Sequence, residues 1–492
     1  MVPNHRNIIG TEMEWAIMAR LEGSNKFRPL NGEDGMPSAG PMVSPEYRPE
    51  GIISLPSSAF LSNGSRYYQD VGGHIEYATP ENLSLDDVVL SELAGEWVAA
   101  DSLRRFIASH ATIEEAILYK RVIDDKGETW GYHVNISEDR QQLMPGQLPL
   151  TVSFNDHLAA TTRPLLLHYA TSLPMLGGGL VHPAKLANGP AYRYSFGQKV
   201  MDIQYDVSGS TTRNKPFISS RDESHANAEK YLRLHIVGTD PHISPWATRM
   251  MMGTTTLMLA GMKQGKVREL QYKYPVASPA AHIASLAKFD IEGQNKYEFI
   301  VDGRTKKYRD SDIQEMYIQD LEAVTDMSND QAWAYAEWKR AVEDRRQDIM
   351  RLEDRSDAIA KLSLIQRLNV KHGKERDVID TDAANFDKLY TTVFHTTREA
   401  AQELDTHTLM AKTLPGKLRK SLFSATMPDG SDIDDRVVNP PRSTRAYKRG
   451  EIIRNAGNEK ISSVNWGQYI VSRGTQTTVK FDPWDGAEDG EE

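Results

Sequence analysis

Cysteine is absent from the 492 residues. That removes disulfides, thiolate metal sites and a cysteine nucleophile together, and it fits a reducing cytoplasm. Long apolar runs are missing too: nothing approaches the roughly eighteen residues that a spanning helix needs. The opening MVPNHRNIIGTEMEW has no apolar core of a secretory leader. Positive charge is in deficit, with 58 Lys and Arg against 68 Asp and Glu, a net −10. A general nucleic-acid binder carries the opposite balance. No fixed-period repeat is visible. What is present is ordinary for a globular chain, 39% hydrophobic and 26% charged, and long enough for a large core in two or three units.

Residues 7–17, NIIGTEMEWAI, predict a strand. Residues 18–58 are rich in Gly, Pro, Ser and Asn and predict a long loop or insertion. GSRYYQDVGGHIEYAT, residues 64–79, predicts strand, Gly-Gly turn and strand. From Ser84 to Ser109, Leu85, Val88, Val89, Leu93, Trp97 and Leu103 recur at helical spacing, with Ser84 and Asp87 as a cap. Strand character returns over 116–137. A helix start is predicted over 222–234, a buried Met-rich helix over 246–263, and charged helices over 311–370. Residues 425–445 predict a polar, Pro-containing linker, 446–483 a small strand-containing unit, and the acidic end a disordered tail.

Chemistry concentrates where period-2 alternation puts side chains on one face. Glu12 and Glu14 share a face of the first strand; Arg66, Tyr68 and Asp70 share a face of the second; His74 and Glu76 share a face after Gly72-Gly73. A solvated, charged strand face is the plainer reading of any one of these. If the strands are neighbours, three glutamates and an aspartate meet on one surface. Such carboxylates repel unless a cation sits among them, and an oxygen-rich set suits Mg²⁺ or Mn²⁺. Arginine on that face suits a phosphate. His133 in WGYHVNI and His235 in LRLHIVG lie in similar apolar-flanked strands, where a satisfied core histidine and a ligand are both open.

GTEMEW, SNGSRYYQDVGGHIEYATPE, AGEW, SRDESHANAEKYLRLHIVG, NPPRSTRAYKRGE and VNW resemble the family of the Pup ligase and the Pup deamidase/depupylase. That family falls in the glutamine synthetase-like carboxylate–amine ligase superfamily. The likeness runs from residue 8 to about residue 483 and is weakest between 270 and 430. It implies a cytoplasmic α+β enzyme with a curved antiparallel sheet as a cradle, helices on its other face and a small C-terminal domain. The expected layout is a catalytic domain over 1–425 (with 18–58 as loop or insertion), a C-terminal domain over 426–485, and a disordered tail over 486–492. The implied reaction uses ATP and Mg²⁺ to phosphorylate the γ-carboxylate of the C-terminal glutamate of Pup, a small disordered acidic modifier. A target protein's lysine then attacks, giving an isopeptide bond. No nucleic acid or membrane partner is implied.

Carried over by position, the resemblance implies Glu12, Glu14, Tyr68 and Glu76 as metal ligands, with His133 and His235 near the metal. It implies Arg66, Thr79 and Trp466 as ATP contacts, and Asp70 as the catalytic proton acceptor. Arg221, Arg233 and Arg445 are candidates for phosphate or carboxylate contacts. A groove for the acidic modifier could draw on Arg304, Lys306, Lys307 and Arg309, or on Lys417, Arg419 and Lys420. The family's G-x-H-E-N-Y here reads Gly131-Tyr132-His133-Val134-Asn135-Ile136, without its glutamate. The phrases DVGGHIEYAT, AGEW, HANAEKY and VKFDPW stand nearer the ligase. A depupylase hydrolysing the same bond stays open, as do a divergent amino-acid or peptide ligase and a non-catalytic binder of a Pup-like tail.

Overall fold

The computed structural model describes residues 7–55, 57–70, 72–124, 126–146, 152–186, 189–456, 461–472 and 476–486. Its centre is a mixed, mainly antiparallel twelve-stranded sheet. The strands are β1 (Ile8–Leu21), β2 (Arg28–Pro29), β3 (Gly51–Leu55), β4 (Ser58–Leu61), β5 (Arg66–Gln69), β6 (Ile75–Ala78), β7 (Ile113–Tyr119) and β8 (Tyr132–Asp139). A separate hairpin follows, β9 (Leu180–Leu186) and β10 (Gly189–Ser195), and then β11 (Tyr205–Ser208), β12 (Pro216–Ser219) and β13 (Tyr231–Ile236). A small sheet comprises β14 (Gln271–Tyr272), β15 (Tyr297–Val301) and β16 (Arg304–Tyr308); β17 (Thr392–Thr397) returns to the main sheet. The C-terminal sheet holds β18 (Ile461–Val464), β19 (Gln468–Ser472) and β20 (Gln476–Lys480). The main order is β11-β12-β13-β8-β1-β6-β5-β4-β3, with β7 and β2 on the later part of β1 and β17 on β7. At 14 residues, β1 is long enough to serve two partner sets: it pairs β6 and β8 through Trp15 and Met13, then β7 from Ala16.

One face of this sheet is packed with helices. Helix α1 (Leu85–Ser109) begins where Ser84 accepts the Asp87 amide at 3.0 Å, and its apolar face is buried at Leu85, Val88, Leu93 and Leu103. Gly95 lets it lie close on β6, since a Cβ there would stand 2.4 Å from the Tyr77 ring. The Met-rich helix Pro245–Lys263 is buried, as its composition predicts. Among the described residues no helix is long and apolar enough to cross a membrane.

Three local expectations are corrected. Residues 222–230 form no helix. Ser224 holds the Ala226 amide and Asn227 the Glu229 amide, so short polar side chains compete with the helical ladder, and His225 adopts a left-handed φ of 50°. The polar stretch 425–445 is not merely a linker. Asp429 caps a helix over Gly430–Val438, whose Arg436 pairs with Asp87 of α1 at 2.7 Å. Within 18–58, β1 continues to Leu21, and Met36, Met42 and Val43 enter the core. The tail beyond Gly486 lies outside the described residues.

Beneath the sheet, Glu96 of α1 meets Arg419 at 2.6 Å and Lys120 at 2.8 Å. Burial opposes its ionisation, but Arg419 and Lys120 outweigh it and bring the Glu96 pKa from its ordinary 4.5 to about 2. This stabilisation is complete above pH 4.5 and is lost as pH falls from 4.5 toward 2. Glu96→Ala strips the buried Arg419 of its ion-pair partner and leaves Lys120 only Glu92 at 3.5 Å, and is expected to cost about 3–5 kcal/mol. Thermal or urea unfolding across that pH window checks both statements; a variant as stable as the parent at pH 7 contradicts them.

Candidate active site

The acidic residues meet through strand register. Glu14 on β1 stands opposite Glu76 on β6, which stands opposite Tyr68 on β5. One step along, Glu12 pairs His133 on β8 and Ala78 on β6, and Ala78 pairs Arg66. The alternation seen in the sequence therefore becomes two rows on one face. Asp70 lies just past β5, its amide donating to the His74 carbonyl at 2.8 Å across the Gly72-Gly73 turn. Both glycines have positive φ, 98° and 86°, which a side chain would strain.

Two clusters result, each with its ligating atoms within 4.8 Å of one another: Glu14, Asp70 and Glu76, and Glu12, His133 and His235. In the second, Arg233 Nη2 donates to Glu12 Oε1 at 2.8 Å and Arg233 Nε donates to Asn135 Oδ1 at 2.7 Å. His133 Nδ1 lies 3.0 Å from Glu12 Oε2, and His235 Nε2 lies 3.6 Å from it. In the first, His74 Nδ1 is 2.8 Å from Glu14 Oε2. Gly131 makes room for this crowd, because a Cβ there would stand 2.8 Å from Glu14 Oε1 and 2.9 Å from His133 Nε2.

The electrostatics differ sharply across the face. Burial works against the Glu12 charge, yet Arg233, the hydrogen bond with His133 and the nearby His235 ring hold it well below its ordinary pKa. Glu14 is lowered against burial by His74 and His133. Glu76 goes the other way: burial, then the charges of Glu12, Glu14 and Asp70, push it well above its ordinary value. Burial and the charges of Glu76 and Glu12 likewise raise the Tyr68 phenol. Burial pulls His235 down to about 4, and neither of its ring nitrogens has a hydrogen-bond partner among the described residues.

These observations fit a divalent cation. Glu14, Asp70 and Glu76 form an all-oxygen set whose mutual repulsion a cation removes, and its hardness suits Mg²⁺ or Mn²⁺. Glu12, His133 and His235 add a mixed oxygen–nitrogen set with a neutral, unsatisfied imidazole.

Beside the acidic rows lies a recess of about 90 Å³, lined among others by Gly10, Glu12, Thr79, Arg233, Arg445 and Trp466. It adjoins a cleft of about 1070 Å³ that includes Phe60, Arg66, His225 and Trp466. The recess has room for little more than a phosphate, whereas the cleft is within the size of small-molecule sites; His225, Trp466 and Pro483 border both. Thr79 Oγ1 accepts the Thr11 amide at 2.9 Å. Arg66 lies over the Tyr68 ring at 4.0 Å and donates to Ser58 Oγ. Arg445 is held by Glu81 at 2.7 Å and donates to the His225 carbonyl at 2.9 Å. Trp466 packs edge-on against Phe60, with Arg449 4.8 Å from its ring centroid.

Arg221 is not brought to either cavity. It donates to the Gly209 carbonyl and Thr211 Oγ1 on the surface. Arg419 is buried on Glu96 rather than facing a groove. Arg304, Lys306 and Lys307 are exposed on β16, with Lys307 on Glu298 and Lys306 near Asp302. The sequence reading missed His74 as the partner of Glu14, Asn135 as the partner of Arg233, and Glu81 as the anchor of Arg445. Arg233 and His235 do alternate on β13, a signal that they share the site's face.

A family model described as "Pup-ligase protein" matches residues 7–470. The Pup–protein ligase of Acidimicrobium ferrooxidans is 28% identical, with 97% of this chain and 96% of the relative covered. That of Mycobacterium leprae is 27% identical, with 96% and 95% covered. The crystal structure of the complex between prokaryotic ubiquitin-like protein Pup and its ligase PafA has a TM-score of 0.75 at 21% identity, covering 99% of this chain and 91% of that one. PafA in complex with ADP has a TM-score of 0.70 at 23% identity, with 87% of each chain covered. At these identities the two structures speak for the fold.

Removing the least tolerable charge tests the metal reading. Without divalent cations, Glu76→Gln is expected to raise stability by about 1 kcal/mol by relieving repulsion. Added Mn²⁺ should raise the wild-type melting temperature and leave the variant's nearly unmoved. Thermal unfolding in EDTA and in Mn²⁺ measures both; an equal Mn²⁺ response in the two proteins argues against Glu76 as a ligand.

Proposed function

The chain belongs to the Pup-ligase family, and from that premise we propose that it is an ATP-dependent ligase joining the C-terminal glutamate of Pup, or a Pup-like modifier, to a lysine of a target protein. The observation that carries this reading is the meeting of the Glu14–Glu76 row and Asp70 beside a recess bordered by Arg233, Arg445 and Trp466. The curated relatives named above are ligases, which favours forming the bond over hydrolysing it.

The reaction runs in two steps. A γ-carboxylate oxygen of the modifier's glutamate attacks the γ-phosphorus of ATP, so that an acyl phosphate forms and ADP leaves. The lysine nitrogen then attacks the carbonyl carbon; the new C–N bond forms, the C–O bond to phosphate breaks, and phosphate departs with its electrons. A lysine amine is protonated at neutral pH and must shed protons to attack. Asp70 accepts one, because it follows β5 at the edge of the acidic rows, on a Gly-Gly turn whose backbone a substrate can approach.

Other side chains position the reactants. Trp466 offers a ring to the base of ATP, Thr79 offers a donor in the recess and Arg66 one in the cleft. Arg233 and Arg445 border the recess where a phosphate fits, though each already holds a glutamate, Glu12 and Glu81. Glu14, Glu76 and Tyr68 would hold Mg²⁺, with Glu12, His133 and His235 beside them; a bound ion would supply charge neutralisation for the triphosphate.

Asp70→Asn keeps the shape of the turn and removes the base. It is expected to bind ATP normally and to lower ligation by at least about 100-fold. The assay combines ATP, Mg²⁺, a Glu-ended Pup and a lysine-bearing protein, and reads a heavier conjugate on a gel. A normal rate in the variant removes Asp70 from the role. Cleavage of a preformed conjugate by the wild type, without ligation, reassigns the chain to the hydrolytic reaction.

A further inference from the structure

Strand β1 runs past three different environments. Gly10 and Glu12 border the recess with Arg445 and Trp466, and Glu14 lies in the carboxylate row. Trp15, Ile17 and Met18 line a second cavity, of about 560 Å³, which shares no residue with the recess or the large cleft. Its opening is structural: β6 stops pairing with β1 at Trp15 and β2 begins at Met18, with the Leu30 amide on the Ile17 carbonyl at 3.0 Å between them, so the β6 ladder breaks at this edge of β1.

His74 forms the wall between this cavity and the carboxylates. Its ring is 2.8 Å from Glu14 on one side and 5.8 Å from the Trp130 ring on the other, and both His74 and Trp130 line the cavity. The turn carrying Asp70 is the same wall, because Gly73 donates to the Asp70 carbonyl at 3.1 Å and Gly73 also lines the cavity. A group entering here is therefore one side chain away from the base.

We infer that this cavity admits the acceptor: a lysine side chain of the target protein, entering from the end of β1 opposite to the nucleotide. This rests on the ligase reading given above. Three observations carry it. Four carboxylates, Glu33, Asp34, Asp124 and Glu128, line the cavity against three cations, Lys26, Arg28 and Lys126; the nucleotide-side cleft has Arg66 and Lys480 against Asp482. The ends of the path thus differ in sign, as an ammonium and a triphosphate require. Phe27 and Trp130 supply aromatic surface for an aliphatic stem with a cationic head. Trp15, also in the lining, is 2% exposed and its Nε1 has no hydrogen-bond partner among the described residues, a donor that a target backbone carbonyl can satisfy.

The test separates activation from acceptor use. Glu33→Lys with Glu128→Lys reverses two exposed charges in the lining, neither of them a residue assigned to catalysis. Wild type and variant are given ATP, Mg²⁺ and a Glu-ended Pup, with either hydroxylamine or a lysine-bearing protein as acceptor. Hydroxylamine is small and needs no lysine channel, so its hydroxamate product reports activation and an intact fold. The expected result is hydroxamate formation within about twofold of wild type, and a KM for the protein acceptor raised about tenfold with kcat little changed. An unchanged acceptor KM, or a parallel fall of both products, overturns the inference. If the wild type yields neither hydroxamate nor conjugate, the ligase reading itself fails, and this inference with it.

Discussion

Carboxylates of like charge, pressed together on one sheet face, are the constraint on which the rest of the molecule depends. Register puts Glu14 directly opposite Glu76, and the Gly72-Gly73 turn brings Asp70 into reach of both. Water cannot screen them well, since Glu76 is only 3% exposed. The fold copes unevenly. Arg233 and two histidines stabilise the Glu12 charge, and His74 stabilises Glu14, while the groups acting on Glu76 among the described residues are chiefly other carboxylates, and its ionisation is strongly disfavoured. A site built this way stores unfavourable electrostatics that a bound cation would relieve.

The same logic explains how a remote segment becomes part of the site. Glu81 follows β6 by three residues and receives both Arg445 and Arg449 from the helix Arg445–Arg454. Burial alone would disfavour its charge, but the two guanidinium groups bring its pKa to about 2. Arg449 also donates to the carbonyls of Gly64 and Trp466, and Arg445 to that of His225. One glutamate thus ties the C-terminal sheet and the 220–230 segment to the end of β6. Phe60, Ile453 and Val464 close the seam with a small apolar cluster of their own.

How much of this was legible depended on the range of the signal. Alternation is local, so the shared faces of Glu12 with Glu14 and of Arg66, Tyr68 and Asp70 could be read from the sequence. The helix over 84–109, with its Ser84 cap, was legible for the same reason. Pairing is not local: nothing in the sequence alone says that β13 lies beside β8, and so the Arg233–Glu12 bond, 221 residues apart, was out of reach. Composition misled in both directions. The 222–230 stretch has helical-looking content but spends its side chains on its own turns. The 425–445 stretch looks like a linker but holds a capped helix anchored on α1. Arg221 and Arg419 carried the right charge in places where the fold gives it other employment.

The missing glutamate of the family's G-x-H-E-N-Y run can be placed by the same alternation. His133 and Asn135 reach Glu12 and Arg233, so Val134 between them points to the other face. It is fully buried there among core residues and pairs Thr11 of β1. The departure therefore alters the helix-facing side of β8 and takes no ligand from the acidic rows. A carboxylate at that position would have to be neutralised inside the core, as Glu96 is by Lys120 and Arg419. Valine removes that demand. The chemistry-bearing face retains Glu12, Glu14, Tyr68, Asp70, Glu76 and both histidines, and so the difference bears on how the core is packed before it bears on what the site can do.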